Sequence, residues 1–212
     1  MGLNMLKKLK TYNKFFIQNT FMGDLENNKI FDYEERFSQI CLTAPHATKT
    51  IRNNEIKKSD LYTGAICKLL GEIHNVSYII RNKFTPQKSS LTEFIIQNNL
   101  TERFFIDIHG MKADVDFELA VGIGNLSSND YDLTLNIIDK ICKKYSISYI
   151  VNHPNYTGRF GLTGKLQAHT KKANVIQLEW RKDMRDFMNN WQIVKTKTIP
   201  FLSELVMEIN DS

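Results

Sequence analysis

The sequence predicts an α/β fold, a three-layer domain in which a mostly parallel or mixed central sheet is flanked by helices. Short apolar runs rich in Val, Ile and Leu alternate with amphipathic segments along most of the 212 residues. The apolar runs are bounded by Pro, Gly or polar residues, which is typical of buried strands. With 42% hydrophobic and 24% charged residues, the composition is that of a folded globular protein. We therefore predict one domain over residues 1–212, with residues 1–35 as a basic N-terminal segment of unassigned role.

The predicted elements of the N-terminal half follow from apolar spacing. The apolar residues of 1–35 fit one helix face only loosely, so this segment is predicted to be helical or irregular. Strands are predicted at 37–42, 76–80 and 104–108, and helices at 60–70 and 90–98. Ser59 and Ser90 stand where N-caps are expected, and Glu93 gives the second helix a capping box.

The same reasoning covers the C-terminal half. Strands are predicted at 117–123, 147–151 and 175–180, and helices at 130–145 and 187–208. Pro200 should interrupt the last helix, because proline lacks the backbone N–H that a helix interior requires. Residues 152–164 are predicted to form a long loop.

The net charge of +5 comes largely from the N-terminus. Four lysines precede the first acidic residue, Asp24, and these are Lys7, Lys8, Lys10 and Lys14. A solvated helix face is the ordinary explanation of such a run, and contact with an acidic partner or a membrane surface is the alternative. Because the remainder is close to neutral, we do not expect a nucleic-acid partner.

Cysteine usage and hydropathy indicate the compartment. Cys41, Cys67 and Cys142 are odd in number and widely spaced, as expected of buried thiols in a reduced compartment. No apolar stretch approaches the length of a transmembrane helix, and the N-terminus lacks the features of a signal peptide. These observations predict a cytoplasmic protein without a transmembrane segment.

Two histidines stand where predicted strands give way to loops. His46 follows the strand at 37–42 and His109 follows the strand at 104–108, while Glu179 lies near the end of the strand at 175–180. In an open α/β sheet, ligands bind beyond the carboxyl ends of the strands. Two imidazoles and carboxylates at one edge are what a catalytic zinc site needs. The alternative for each histidine is an ordinary strand-end residue that makes hydrogen bonds.

Further acids could complete such a site. The third ligand could be Glu55, in a polar loop, or Asp60, at a helix start where a carboxylate is favoured in any case. The residues alone leave that choice open. Asp107 shares a strand face with His109 and could accept its second ring proton, which would fix the tautomer.

Glu179 ends a strongly apolar run, where a buried charge requires a partner. It could act as a general base toward an attacking water, or it could form a salt bridge with Arg181 or Arg185. An anionic substrate or oxyanion would need a cation, and Arg159 is favoured because neighbouring glycines permit unusual backbone geometry. Arg81 and Arg185 are further substrate-binding candidates, and each arginine could equally be a solvated surface residue.

Four pieces of the sequence, in order, resemble the N-formylglutamate amidohydrolase family of zinc-dependent hydrolases, which have a zinc-exopeptidase-like α/β fold. The pieces are Pro45-His46-Ala47, residues 56–64, Asp107-Ile108-His109-Gly110-Met111 and Gln177-Leu178-Glu179. The resemblance implies that zinc (Zn²⁺) is bound by His46, Asp60 and His109, which decides against Glu55. Relatives often carry Glu at the position of Asp60. Glu179 matches the catalytic carboxylate, whereas residues 1–35 match no part of the family pattern.

The predicted function is therefore a zinc-dependent hydrolase that cleaves a C–N amide bond. The substrate would be an N-acyl amino acid, such as formylglutamate, or a peptide, in either case with a carboxylate. Glu179 would act as general base and then as general acid, and an arginine would hold the substrate carboxylate or the oxyanion. The alternative is a non-catalytic metal-binding or peptide-binding module of the same fold. The oligomeric state is left open.

Overall fold

A seven-stranded mixed sheet forms the centre of the fold. The computed structural model describes residues 2–52, 54–86 and 90–211. The strands of the sheet are β1 (Phe31–Glu34), β2 (Ile40–Ala44), β5 (Ser77–Arg81), β6 (Phe104–Gly110), β7 (Leu119–Gly122), β8 (Tyr149–Val151) and β9 (Val175–Trp180). A separate two-stranded hairpin consists of β3 (Thr50–Arg52) and β4 (Glu55–Lys57).

The strand order is β1-β5-β2-β6-β9-β7-β8. The four neighbouring strands β5, β2, β6 and β9 are parallel. The edge strand β1 is antiparallel to β5, and β7 is antiparallel to β9 while pairing in parallel with β8. The predicted mixed sheet is confirmed, and its parallel centre brings the carboxyl ends of four strands to one edge.

Helices cover both faces of the sheet. They are α1 (Gly2–Phe21), α2 (Thr63–His74), α3 (Leu91–Gln97), α4 (Asp132–Tyr145), α5 (Leu162–Thr170), α6 (Lys182–Arg185), α7 (Trp191–Ile193) and α8 (Ile199–Asn210). Leu42, Ile106 and Leu178 pack with buried residues of α1, α2, α4 and α8. Cys41 and Phe105, which alternate with them along the strands, pack with α3 and α5 on the opposite face. The three predicted layers are therefore present.

Several predicted elements are confirmed. The strand at 175–180 has the predicted bounds, and the strands at 76–80 and 104–108 differ by one or two residues. Helix α3 begins after Ser90, whose side chain accepts a hydrogen bond from the backbone N–H of Glu93 at 3.3 Å. All three cysteines are free and buried. In the described part of the chain, no helix combines the length and apolar character needed to cross a membrane.

Other predictions are wrong in ways that have a physical cause. The segment predicted to be helical or irregular does contain the helix α1, but it also contains the strand β1, which is held by pairing with β5 and not by its own apolar pattern. Residues 162–170 form α5 although a loop was expected to extend to 164. Helix α2 starts at Thr63, so Ser59 is not its cap; Tyr62 precedes it at φ 76°. Near Pro200, a π-helical turn (Val194–Thr198) leads into α8, whose first turn contains the proline.

The chain leaves two neighbouring strands, β2 and β6, in opposite directions along the sheet. From β2 the chain passes through α2 to β5 on one side, whereas from β6 it continues to β7, which lies on the other side beyond β9. A crevice forms at the carboxyl ends of strands whose connections diverge in this way. His46 follows β2 and His109 lies near the end of β6, so the fold places both residues at this edge of the sheet.

We predict that Leu42→Ala destabilises the fold by about 2–5 kcal/mol, because truncating a buried leucine removes apolar contacts and leaves a cavity. Leu42 is fully buried in the central strand β2. The measurement is the free energy of unfolding in urea. Leu133→Ala is the control, since Leu133 of α4 is 62% exposed. Equal stability of the two variants would contradict the packing described for β2.

Candidate active site

His109 and Glu179 lie opposite each other on β6 and β9. They are Cα partners in the parallel pairing of these strands, as are Asp107 and Gln177. Alternation along each strand turns all four side chains toward the sheet face covered by α3 and α5, since Phe105 and Val175 pack there. The register of one strand pair therefore sets the positions of four polar side chains.

The loop after β2 brings His46 beside His109. The centroids of the two imidazole rings are 5.1 Å apart, and the rings meet edge to face. Nδ1 of His46 lies 3.2 Å from the hydroxyl oxygen of Thr50, the first residue of β3. The hairpin that follows this loop thus orients the His46 ring. Burial and the positive charge of Lys57 hold the pKa of His46 well below its usual value.

Asp60 joins the two histidines. Its backbone N–H donates to the carbonyl of His46 at 2.7 Å, and its Oδ2 lies 3.3 Å from Nδ1 of His109. The same oxygen accepts a hydrogen bond from the backbone N–H of Gly110 at 3.2 Å. Glu55, the other candidate acid, is exposed on β4. The geometry thus brings Asp60, and not Glu55, into the cluster.

Asp107 is fully buried beneath the His109 ring. Its Oδ2 lies 2.8 Å from Nε2 of His109, and its Oδ1 accepts a hydrogen bond from the hydroxyl of Thr43 at 2.5 Å. One ring nitrogen of His109 is therefore fixed by Asp107, and the other, Nδ1, faces Asp60 and Glu179. Asp107 occupies the position that the sequence predicts for a residue that orients this ring.

Glu179 is nearly buried, with 9% of its surface exposed. Its Oε1 lies 3.9 Å from Nδ1 of His109 and accepts a hydrogen bond from the side-chain amide of Gln177 at 3.1 Å. A salt bridge between Glu179 and Arg181 was one alternative from the sequence. The guanidinium of Arg181 instead pairs with Asp183 at 2.7 Å. Glu179 is thus held at the cluster by its strand neighbour.

Burial and mutual charge shift the pKa values of the cluster. Burial disfavours protonated His109, but the carboxylates of Asp107, Asp60 and Glu179 outweigh it and raise the pKa to about 10. For Asp60, burial opposes ionisation, while the hydrogen bond from His109 and the charge of Lys57 lower the pKa. Burial raises the pKa of Glu179, and the nearby Asp60 adds to this. The cluster thus concentrates negative charge around one imidazole.

The three candidate arginines lie in different surroundings. Arg81 is buried, donates to the carbonyl of Pro45 at 2.9 Å and lies 4.9 Å from the ring centroid of Phe31. Arg185 is also buried and donates to backbone carbonyls. Arg159 is exposed in the loop before α5. Of the three, Arg159 has the guanidinium that is most accessible to a dissolved ligand.

Several side chains around the cluster are not among the site residues predicted from the sequence. Lys57 extends from β4 to within 3.5 Å of Asp60 Oδ1, and Thr50 contacts His46; both depend on a hairpin that the local pattern did not reveal. Gln177 could have been found, because it alternates with Glu179 on the same strand. Tyr156, in the loop after β8, lies near enough that burial and the charge of Glu179 raise its pKa.

Pairwise contacts hold this group together. In residues 2–52, 54–86 and 90–211, no three His, Cys, Asp or Glu side chains are spaced so that together they could hold a metal ion. A cavity of about 620 Å³ lies elsewhere, between α4 and α8, and is lined by Lys144, Tyr145, Glu204 and Met207 among others. The convergence of titratable groups, and not cavity size, marks the candidate active site.

Solved structures share this fold at low sequence identity. An N-formylglutamate amidohydrolase from Ralstonia eutropha is 9% identical, with a TM-score of 0.54 over 84% of this chain and 96% of that one. A bacteriophage poly-gamma-glutamate hydrolase is 17% identical, with a TM-score of 0.50 over 87% of this chain and 88% of that one. A gene product of Agrobacterium tumefaciens is 12% identical, with a TM-score of 0.52 over 85% and 94%. No family model matches the sequence, and no curated protein matches it. The likeness confirms the zinc-exopeptidase-like fold class.

We predict that Thr43→Val lowers the free energy of unfolding by about 1–3 kcal/mol, because the buried carboxylate of Asp107 loses a hydrogen-bond donor. Thr43→Ser is the matched control, since it keeps the hydroxyl that donates to Asp107. Urea unfolding of the three proteins measures the effect. If the valine variant were as stable as the serine variant, the hydroxyl would not be supporting Asp107.

Proposed function

We propose that this protein is a metal-dependent hydrolase that cleaves a C–N amide bond, with zinc held by His46, Asp60 and His109. The observation that carries the proposal is the convergence of these three side chains, delivered by separate segments, with Glu179 beside them. The proposed substrate is an N-acyl amino acid, such as formylglutamate, or a peptide, with a carboxylate near the scissile bond.

The donor types, and the spacing of one pair of donor atoms, support zinc as the metal. Histidine nitrogens and a carboxylate oxygen are common zinc ligands, and three protein ligands are usual in catalytic sites. Two atoms bound to one tetrahedral zinc at about 2 Å lie about 3.3 Å from each other. His109 Nδ1 and Asp60 Oδ2 are 3.3 Å apart, a spacing that suits two ligands of one ion. The 5.1 Å between the imidazole centroids also leaves room for both rings to reach the same ion.

Neighbouring residues prepare these ligands. Asp107 holds Nε2 of His109, which leaves Nδ1 for the metal, and this kind of carboxylate–histidine pair raises the basicity of a ligand. Thr43 in turn fixes Asp107. When bound, zinc would supply Lewis acidity that polarises a carbonyl and lowers the pKa of water to about 7.

Glu179 is the proposed general base and acid. It lies on the same face as His109, within 3.9 Å of Nδ1, so a water at the ligand cluster would be within its reach. Gln177 donates to Oε1, the same oxygen that faces Nδ1 of His109, and so holds the carboxylate toward the ligand cluster, where it would take the proton of the attacking water. The carboxylic acid would then deliver that proton to the leaving nitrogen as the C–N bond breaks.

Two observations support a substrate that carries a carboxylate. Two proteins of the same fold are named as an N-formylglutamate amidohydrolase and a poly-gamma-glutamate hydrolase, and both names place glutamate in the substrate. Arg159 offers an exposed guanidinium on the loop that passes over Gln177, where Gly158 and Gly161 approach this side chain. We propose Arg159 as the group that meets the substrate carboxylate or the developing oxyanion. Substrate binding by Arg81 stays a prediction.

The proposal also includes the sequence predictions on the domain, the basic N-terminal segment and the partner. We propose that residues 1–212 act as one hydrolase domain, because α1 packs Leu9 and Phe16 into the same core as α2 and the sheet. Lys8 of the basic segment pairs with Glu72 of α2, as expected of a solvated helix face. A small molecule or peptide in the cytoplasm, with no nucleic acid, remains the expected partner.

We predict that Glu179→Gln keeps wild-type zinc content and loses about 100- to 10,000-fold in kcat, the usual contribution of a general acid–base group. The amide cannot accept a proton, and Glu179 is not among the proposed ligands. Elemental analysis gives the zinc content, and release of amino acid from N-acyl amino acids and short peptides gives kcat. Normal turnover by this variant would refute the assignment of the base.

His46→Ala and His109→Ala are the companion variants, and both should lose zinc together with activity. Asp60→Asn removes the proposed carboxylate ligand and should lose zinc in the same way. Glu55→Gln is its matched control, because Glu55 is a nearby acid that is exposed on β4. Zinc binding that survives both histidine substitutions would refute the proposed site. Zinc binding by the wild type without hydrolysis of any amide would favour the non-catalytic module.

We predict that Arg159→Ala raises KM about 10- to 100-fold for substrates with a carboxylate, because a charge-assisted hydrogen bond contributes about 1.5–3 kcal/mol. The effect should vanish when the carboxylate is replaced by a carboxamide. Lys165→Ala is the control, since Lys165 is an exposed cation on the neighbouring helix α5. An equal loss on charged and uncharged substrates would show that Arg159 does not recognise the carboxylate.

A further inference from the structure

Arg185 joins three separate segments of the chain through one guanidinium. It lies at the end of α6 and is 6% exposed. Nη1 donates to the carbonyl of Leu61 at 2.8 Å, Nη2 to the carbonyl of Met111 at 3.0 Å, and Nε to the carbonyl of Trp180 at 3.2 Å. Each of the three nitrogens thus has its own backbone acceptor.

Each of these acceptors lies next to a residue of the candidate active site. Leu61 follows Asp60 directly, Trp180 follows Glu179 directly, and Met111 comes two residues after His109. The three segments are the chain before α2, the end of β6 and the end of β9. A single side chain therefore fixes the backbone beside one carboxylate ligand, one histidine and the proposed base.

Gly110 makes room for this arrangement. A Cβ atom at this position would lie 2.3 Å from both Cζ and Nε of Arg185, which is too close for any side chain. The guanidinium thus packs directly against the backbone of β6 beside His109. The backbone N–H of Gly110 also donates to Asp60 at 3.2 Å, so this residue links the guanidinium to the ligand cluster.

We propose that Arg185 is a positioning residue that sets the spacing of Asp60, His109 and Glu179, and that it does not bind substrate. The proposal rests on the hydrolase function proposed above and departs from the sequence prediction that Arg185 binds substrate. Three of its five N–H groups already donate to backbone carbonyls and only 6% of the residue is exposed, so little of the guanidinium is open to a substrate carboxylate. Displacing those carbonyls would leave buried acceptors without donors, which is costly.

The chemistry of arginine suits this role. Its guanidinium is planar and presents donors in a fixed fork, whereas the ammonium of lysine is a single point on a flexible chain. Lysine at this position would keep the charge but could not hold three carbonyls that lie in different directions. Burial lowers the pKa of Arg185, and the nearby carboxylates of Asp60, Glu179 and Asp186 act against this and favour the charged guanidinium. Geometry and charge can therefore be separated by substitution.

We predict that Arg185→Lys lowers zinc affinity about 10- to 100-fold, as removal of groups that orient metal ligands does. The value of kcat should fall about 100-fold, since small misplacements at an active site have effects of this size. The loss should be the same on substrates with a carboxylate and on their carboxamides. Zinc affinity is measured without substrate, by competition with a chromogenic chelator.

Gly110→Ala should also lower zinc affinity and kcat, because its methyl group displaces the guanidinium without removing the charge.

Arg181→Lys is the matched control, since Arg181 lies four residues away and its guanidinium pairs with Asp183 instead of the site segments. Backbone hydrogen exchange gives a readout that needs neither zinc nor activity. Exchange in peptides covering 57–64, 107–113 and 176–182 should rise together in Arg185→Lys and stay unchanged in Arg181→Lys. Millimolar guanidinium should partly restore zinc affinity to Arg185→Ala.

Three outcomes would overturn the positioning role. A rise in KM confined to substrates with a carboxylate would make Arg185 a substrate anchor. Lower thermal stability with unchanged zinc affinity and kcat would make its role purely structural. Unchanged exchange in all three segments would mean that the guanidinium does not join them. A wild-type protein that neither binds zinc nor hydrolyses amides would refute the proposed function, and the exchange experiment would still decide whether Arg185 links the segments.

Discussion

The parallel pairing of β6 with β9 is the constraint on which the candidate active site depends. This register sets Asp107 beside Gln177 and His109 beside Glu179, and strand alternation turns all four toward one face. A shift by one residue would exchange these side chains with Ile106, Ile108 and Leu178, which form part of the main core. The apolar residues that hold the register are therefore as important to the site as the polar ones.

Charge balance is the second requirement of this site. Asp60, Asp107 and Glu179 are buried around His109, and isolated buried carboxylates would be strongly unfavourable. The structure offsets them in different ways: Thr43 and Gln177 donate hydrogen bonds to Asp107 and Glu179, and Lys57 lies near Asp60. A divalent cation bound by His46, Asp60 and His109 would further compensate this excess of acceptors, which is why the cluster makes chemical sense as a metal site.

Residues whose positions follow from strand periodicity could be predicted from the sequence. His109, Asp107 and Glu179 lie on strands with clear apolar patterns, so their shared edge was foreseeable. The placement of β1 and of the β3–β4 hairpin was not, because these short strands are held by pairing, β1 with a strand distant in sequence and β3 with β4, and not by an apolar pattern of their own. For the same reason the residues alone do not decide between Asp60 and Glu55, and no local pattern of the sequence points to Lys57.

Arg185 illustrates a further limit of local patterns, since its three acceptors come from segments that are far apart in sequence. The strands and the guanidinium of Arg185 hold the polar side chains of the candidate site. The loop at 152–161, in contrast, lies over Gln177, and its residues Arg159 and Phe160 are exposed to solvent. Within that loop, the rings of His153 and Tyr156 stack with centroids 5.2 Å apart. Loops on a rigid scaffold usually select ligands. In the proposed hydrolase, substrate preference should therefore depend on this loop, while the choice of the bond to be cleaved should depend on the strands beneath it.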